Sequence, residues 1–162
     1  MKKSGPRNLD VSLFIASNPV LRKKKGKEPD MRVEMKPIGF VSTDAESVPR
    51  HWSISDVKGT LVIDESYIEG LKDIRAEQRI VVIFQFHKSP EFAPRFLIQT
   101  PPHRNRKVGV FSTCSPIRPN PIGMSVLEVV SVQKNRVYVK GLDMLAGTPI
   151  LDIKPHMDVA RH

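Results

Sequence analysis

From residue 79 to 86 the chain reads RIVVIFQF, a continuous β-branched and aromatic run. That pattern predicts a buried strand with Ile80, Val82, Phe84 and Phe86 on its core face. Shorter apolar runs at Pro37–Val41, Gly59–Ile63, Phe96–Thr100, Lys107–Thr113, Met124–Val132 and Arg136–Lys140 predict further strands. Lys134–Asn135 separates the last two and suits a hairpin turn. Glu65–Ile74 spaces Tyr67, Ile68 and Leu71 as a short helix would. Residues 43–56 read as irregular and polar around Pro49, and Pro101 and Pro102 close the strand before them. Many short strands punctuated by Pro and Gly predict a mostly β fold: a small closed or partly open β-barrel with short helices and long Pro-rich loops.

At 162 residues the chain is long enough for one sizeable core. No apolar run approaches the roughly 20 residues that span a bilayer. The basic start lacks an apolar h-region, so no secretory signal is expected. Cys114 is the only cysteine, which excludes an internal disulfide and fits a reducing, cytoplasmic setting. The formal net charge is +9. Residues 1–32 carry 9 Lys/Arg against 3 Asp/Glu, including the run Arg22, Lys23, Lys24, Lys25, Lys27. They are expected to form a basic flexible N-terminal extension, with residues 33–162 as the barrel domain. Such a tail can hold nucleic-acid phosphates non-specifically, or simply be a solvated extension.

Three segments carry candidate chemistry. In 109–125, GVFSTCSPIRPNPIGMS, Pro116, Pro119 and Pro121 fix the backbone around Arg118 and Asn120. A loop this stiff loses little entropy on gripping a polar ligand. In 84–94, FQFHKSPEFAP, the buried strand ends directly in His87 and Lys88. In 141–156, GLDMLAGTPILDIKPH, Asp143 and Asp152 flank a Gly147-Thr148-Pro149 turn, with Lys154 and His156 after it. Each segment alone also suits ordinary strand ends and turns. The five histidines show no metal-ligand spacing, so no metal is expected. Cys114 reads as a packed residue rather than a nucleophile. Trp52 and Phe92 read as packing anchors, with base stacking as the alternative. No G-x-G-x-x-G follows a strand, so a Rossmann-type architecture is not expected.

Together these segments resemble the TrmO family, also called TsaA-like or YaeB-like. That family's signature runs approximately GVFATRSPxRPNPIG, then LDxxDGTPxLDIKPY. The first is matched here by Gly109, Val110, Phe111, Thr113, Ser115, Pro116 and Arg118–Gly123. The second is matched by Leu142, Asp143, Gly147, Thr148, Pro149 and Leu151–Pro155. Phe86-His87 looks like the family's FH element, and Val48-Pro49-Arg50 like its VPR segment. The resemblance covers about residues 36–158.

The resemblance implies a compact β-barrel, usually homodimeric, that binds S-adenosylmethionine and methylates N6 of a modified adenosine, threonylcarbamoyladenosine, in tRNA. It implies cofactor contacts at Pro49, Arg50, His51, His87, Lys88, Cys114, Met124, Asp143, Met144, Leu145 and Ala146. Arg118, Asn120, Lys154 and His156 are candidates for the RNA side, and His87 and Asp143 for the group that takes the N6 proton. The chain departs from the pattern at Cys114 (Arg in the family), Ala146 (Asp), His156 (Tyr) and Gln99–His103 (Arg-rich). Those losses raise a second reading, a non-catalytic S-adenosylmethionine- or RNA-binding module of the same fold. A third is an RNA-binding protein driven by its tail.

Overall fold

The computed structural model describes residues 33–102 and 104–157. The expected N-terminal extension, 1–32, lies outside the described residues. Eight strands follow in order: β1 Gly39–Ser42, β2 Lys58–Ile63, β3 Arg79–Gln85, β4 Ile98–Gln99, β5 Val108–Gly109, β6 Ile122–Gln133, β7 Arg136–Lys140 and β8 Pro149–Pro155. Six of them close into an antiparallel barrel in the order β1-β2-β7-β6-β3-β8. β4 and β5 form a separate two-stranded ribbon.

Alternation along each strand fills the interior. Ile80, Val82 and Phe84 of β3 point inward with Leu61, Ile63, Leu127, Val129, Val137, Val139 and Ile150, all nearly inaccessible to water. Burying one such side chain stabilises the fold by about 1.5–3 kcal/mol. Phe84 lies over Gly123 of β6, where any added Cβ would collide with its ring. Phe86 is half-buried and meets Phe84 edge-to-face, with centroids 5.1 Å apart. β6 is long enough to serve two neighbours. Its first half pairs with β3 and its second half with β7, around a bulge between Val129 and Ser131.

Four elements differ from the sequence reading. The expected strand Phe96–Thr100 is extended only at Ile98–Gln99, because Pro94–Leu97 before it winds into a 3₁₀ turn. The expected helix at Glu65–Ile74 is a 3₁₀ helix over Glu65–Leu71, capped by the Asp64 carboxylate, which accepts from Ser66 N at 2.9 Å. It buries Leu71 but leaves Tyr67 exposed. Lys107–Thr113 is not one strand: β5 gives way to a 3₁₀ turn at Val110–Ser112, which projects Phe111 into solvent. The segment after Gly147 is a strand, β8. Its Asp152 and Lys154 face outward, so its periodicity looks like that of a polar loop.

Candidate active site

One rim of the barrel gathers most of the candidate residues. β3 ends there in Phe86 and His87, β6 begins there, and β8 starts there beside Phe84. Leu142 and Met144 turn inward and seal this end of the core. Between them, Asp143 faces the mouth half-buried. Its Oδ1 accepts from Ser125 Oγ at 2.5 Å, and Ser125 is fully buried on β6. Burial pushes the Asp143 carboxyl above the ordinary carboxylate value. The Ser125 hydroxyl, the backbone N–H groups of Trp52 and of Asp143 itself, and the nearby His51 oppose that rise.

The VPR segment reaches the same mouth through His51. This residue caps the 3₁₀ turn Trp52–Ile54, its Nδ1 accepting from Ser53 N at 3.2 Å. Its ring lies 5.1 Å from that of Trp52. Trp52 also meets the Arg79 guanidinium, 5.7 Å from the ring centroid. Ser55 Oγ donates to Leu142 O at 2.5 Å, tying this turn to the Asp143 segment. Of the two residues before the cap, Pro49 is half-buried and Arg50 exposed.

His87 stands beside the Gly147 turn. Gly147 has φ +78°, a left-handed conformation costly for residues with a Cβ, and an added Cβ would lie 3.9 Å from His87 Nε2. His87 is exposed overall, but partial desolvation of its ring, and then the charge of Lys88, hold its pKa below the ordinary 6.5. The imidazole is therefore neutral at pH 7 and able to accept a proton. Leu145 is half-buried and Ala146 exposed on the same turn. The Met144 side chain is committed to the core, so only its backbone is presented to the mouth.

The proline loop is bound to the end of β3. Phe86 N donates to Pro121 O at 2.7 Å, and Ser89 Oγ to Pro116 O at 2.9 Å. Arg118 folds back on its own loop, with Nη1 donating to Thr113 O at 3.2 Å, and Asn120 is exposed. Cys114 and Met124 are both exposed, so the sequence reading of Cys114 as packed is corrected. The loop displays Cys114 because Thr113 and Ser115 turn inward to make its local hydrogen bonds.

Lys154 and His156 are not brought to the proline-loop end of this mouth. Lys154 pairs across from Val81, whereas the proline loop meets β3 at Phe86. Five residues of strand separate those points, about 17 Å along β3. Lys154 instead forms an ion pair with Asp152 at 2.7 Å. Both residues line a groove of about 580 Å³ under the Glu65–Leu71 helix, with apolar walls from Ile38, Ile63 and Ile80. None of His51, His87 or Asp143 lines that groove. The polar groups converge at the mouth, which makes the mouth the candidate site. Among the described residues no three His, Cys, Asp or Glu group together as a metal site would require.

Sequence reasoning missed Ser125. Its signal was available: Ser125 is a polar residue at an inward position of β6, between Gly123 and Leu127. A hydroxyl placed there needs a buried partner.

The sequence profile of the tRNA-methyltransferase O N-terminal domain matches residues 40–160. The chain belongs to that family. An S-adenosyl-L-methionine-binding protein of Archaeoglobus fulgidus is 37% identical over 125 residues, which cover 75% of this chain and 88% of that protein. The tRNA (adenine(37)-N6)-methyltransferase of Rattus norvegicus is 35% identical over 129 residues, covering 75% of this chain and 30% of that enzyme. A crystal structure of TrmO from Pseudomonas aeruginosa superposes with a TM-score of 0.63 at 28% identity, covering 81% of this chain. This family member spans 60% of the length of that TrmO chain.

Proposed function

We propose that this chain is an S-adenosylmethionine-dependent methyltransferase that modifies N6 of an adenine in tRNA, with the barrel mouth as its active site. The carrying observation is that His51, His87, and Asp143 with the Gly147 turn come from three separate segments to one rim. The finer reading is methylation of threonylcarbamoyladenosine by a cytoplasmic homodimer. Met124 and Ile83, neighbours on the outer wall, offer apolar surface where two copies could meet. Light scattering on purified protein tests the dimer.

The mouth suits the cofactor in two respects. Gly147 leaves its backbone uncovered beside His87, where an added Cβ would stand 3.9 Å from Nε2 and cover it. The Asp143 carboxylate is already held in place and keeps acceptor capacity for a ribose hydroxyl or an adenine amine. When bound, S-adenosylmethionine supplies the methyl group at a sulfonium centre.

The protein's own contribution is placement and proton handling. A displacement in line gains most from fixed geometry. The hydrogen bonds that lock the proline loop to β3 supply that fixity. The Asp143 charge favours a cation at the mouth. The neutral His87 imidazole accepts the proton lost from the acceptor nitrogen. Arg50, Lys88 and Arg118 supply donors for phosphate or carboxylate groups of the RNA.

A second reading, a binding module without turnover, is favoured by one observation. Cys114 and Ala146 stand where the family carries Arg and Asp, which removes a cation and an anion from the mouth. One experiment separates the two. Calorimetry first measures S-adenosylmethionine binding. The protein is then incubated with the cofactor and tRNA, and the nucleosides are read by mass spectrometry. Methylated adenosine supports the enzyme; binding without product leaves the module.

A further inference from the structure

The positive charge of the barrel domain is concentrated on one appendage. Residues 86–121 hold six Lys/Arg (Lys88, Arg95, Arg104, Arg106, Lys107 and Arg118) against a single acid, Glu91. The rest of the described domain, residues 33–85 and 122–157, holds ten Lys/Arg against twelve Asp/Glu. The barrel itself is therefore slightly acidic, and the excess lies in the segment that carries the proline loop and the β4–β5 ribbon. The cations at the ribbon's tip, Arg104, Arg106 and Lys107, are exposed, and the ion pairs among the described residues, Arg75–Asp73 and Lys154–Asp152, lie elsewhere.

The ribbon is joined to the mouth by hydrogen bonds. Gln99 Nε2 on β4 donates to Ile117 O at 2.8 Å and to Phe96 O at 2.9 Å. The proline loop that contains Ile117 is bonded in turn to the strand ending at His87. β5 continues straight into the turn that presents Phe111, 77% exposed. A planar hydrophobic side chain held in water on the same short ribbon as several exposed cations suits a strand of nucleic acid. The cations follow its phosphates, and the ring stacks on an unpaired base.

We infer that the β4–β5 ribbon is an RNA clamp. In this assignment Arg104, Arg106 and Lys107 hold the phosphodiester backbone, and Phe111 stacks on a loop base, so that the target nucleoside reaches the mouth. This rests on the tRNA-methyltransferase reading and adds to it the surface that grips the substrate.

The test uses the full chain with a tRNA anticodon stem-loop and measures binding by fluorescence anisotropy across a salt series. The triple variant Arg104→Ala, Arg106→Ala, Lys107→Ala is expected to bind about tenfold or more weakly at roughly 0.1 M salt, with the slope of log K against log salt smaller by about 2. A control of equal charge change, Lys72→Ala, Lys134→Ala, Arg136→Ala, should move either quantity much less. The charge-preserving variant Arg104→Lys, Arg106→Lys should retain most of the affinity, which separates lost charge from lost folding. Phe111→Ala should weaken binding without changing the salt slope. Equal losses in the ribbon variant and the control, or an unchanged slope in the ribbon variant, overturn the clamp. Calorimetry with S-adenosylmethionine on the same samples keeps the two proposals distinct. Ribbon-dependent RNA binding in a protein that takes up no cofactor overturns the methyltransferase reading and leaves the clamp standing. Normal cofactor uptake with ribbon-independent RNA binding does the reverse.

Discussion

Removing the Ser125 hydroxyl tests the electrostatics of the mouth most directly. Ser125→Ala deletes a buried donor 2.5 Å from Asp143 Oδ1 and changes little else in volume. A hydrogen bond to a charged group contributes about 1.5–3 kcal/mol. Because Asp143 is only partly buried, the lower end applies, and the expected loss of stability at neutral pH is about 1.5 kcal/mol. The loss has a pH signature. Burial already raises the Asp143 pKa above 3.8, so the ionised carboxylate costs stability, fully so above the folded pKa and not at all below the unfolded one. Ser125 reduces that cost by stabilising the ionised form. Without it the folded pKa rises further, and the variant falls behind the parent as pH rises. Once the carboxyl is protonated, the two converge. Urea unfolding of parent and variant at about pH 7.5 and about pH 4 reads the difference directly. Equal losses at both pH values, or a loss below about 0.5 kcal/mol at the higher one, would refute the view that this hydroxyl stabilises an ionised Asp143.

Three further outcomes are expected. Gly147→Ala forces a Cβ into a left-handed position beside His87; it should lower stability by about 1 kcal/mol and, on calorimetry, weaken S-adenosylmethionine binding by more than that. If His87 accepts the proton, the rate should fall as pH drops through its folded pKa, below 6.5, and that limb should vanish in His87→Ala; an unchanged limb places the base elsewhere. Leu142→Ala empties a fully buried site directly under Asp143, and urea unfolding should register about 2–5 kcal/mol.

The barrel was largely legible in the sequence because its central strand is apolar throughout and its hairpin is marked. β3 spans Arg79–Gln85 against an expected Arg79–Phe86, and Lys134, at φ 54°, turns β6 into β7 as Lys134–Asn135 suggested. β8 was not legible. Pro149 and Pro155 at its ends read as punctuation, while Asp152 and Lys154 on its outer face hid the inward Ile150 and Ile153. The candidate site was legible only as separate motifs. That Gly147 meets His87 depends on β8 lying beside β3, a pairing between distant segments that no local pattern encodes. The same pairing carries Lys154 towards the opposite rim, although it follows the Gly147 turn by only a few residues.

Closure of the barrel restricts how this protein can associate. Each of its six strands has a hydrogen-bonded neighbour on both flanks over part of its length, so among the described residues no barrel strand stands wholly at an edge that another chain's strand could extend. Among the described residues β4 and β5 form the one sheet with full outward edges, and at two residues each they are too short to template another strand. That arrangement favours recognition of partners through side chains over main-chain ladders. This leaves the surface free to change its specificity one residue at a time while the fold stays intact.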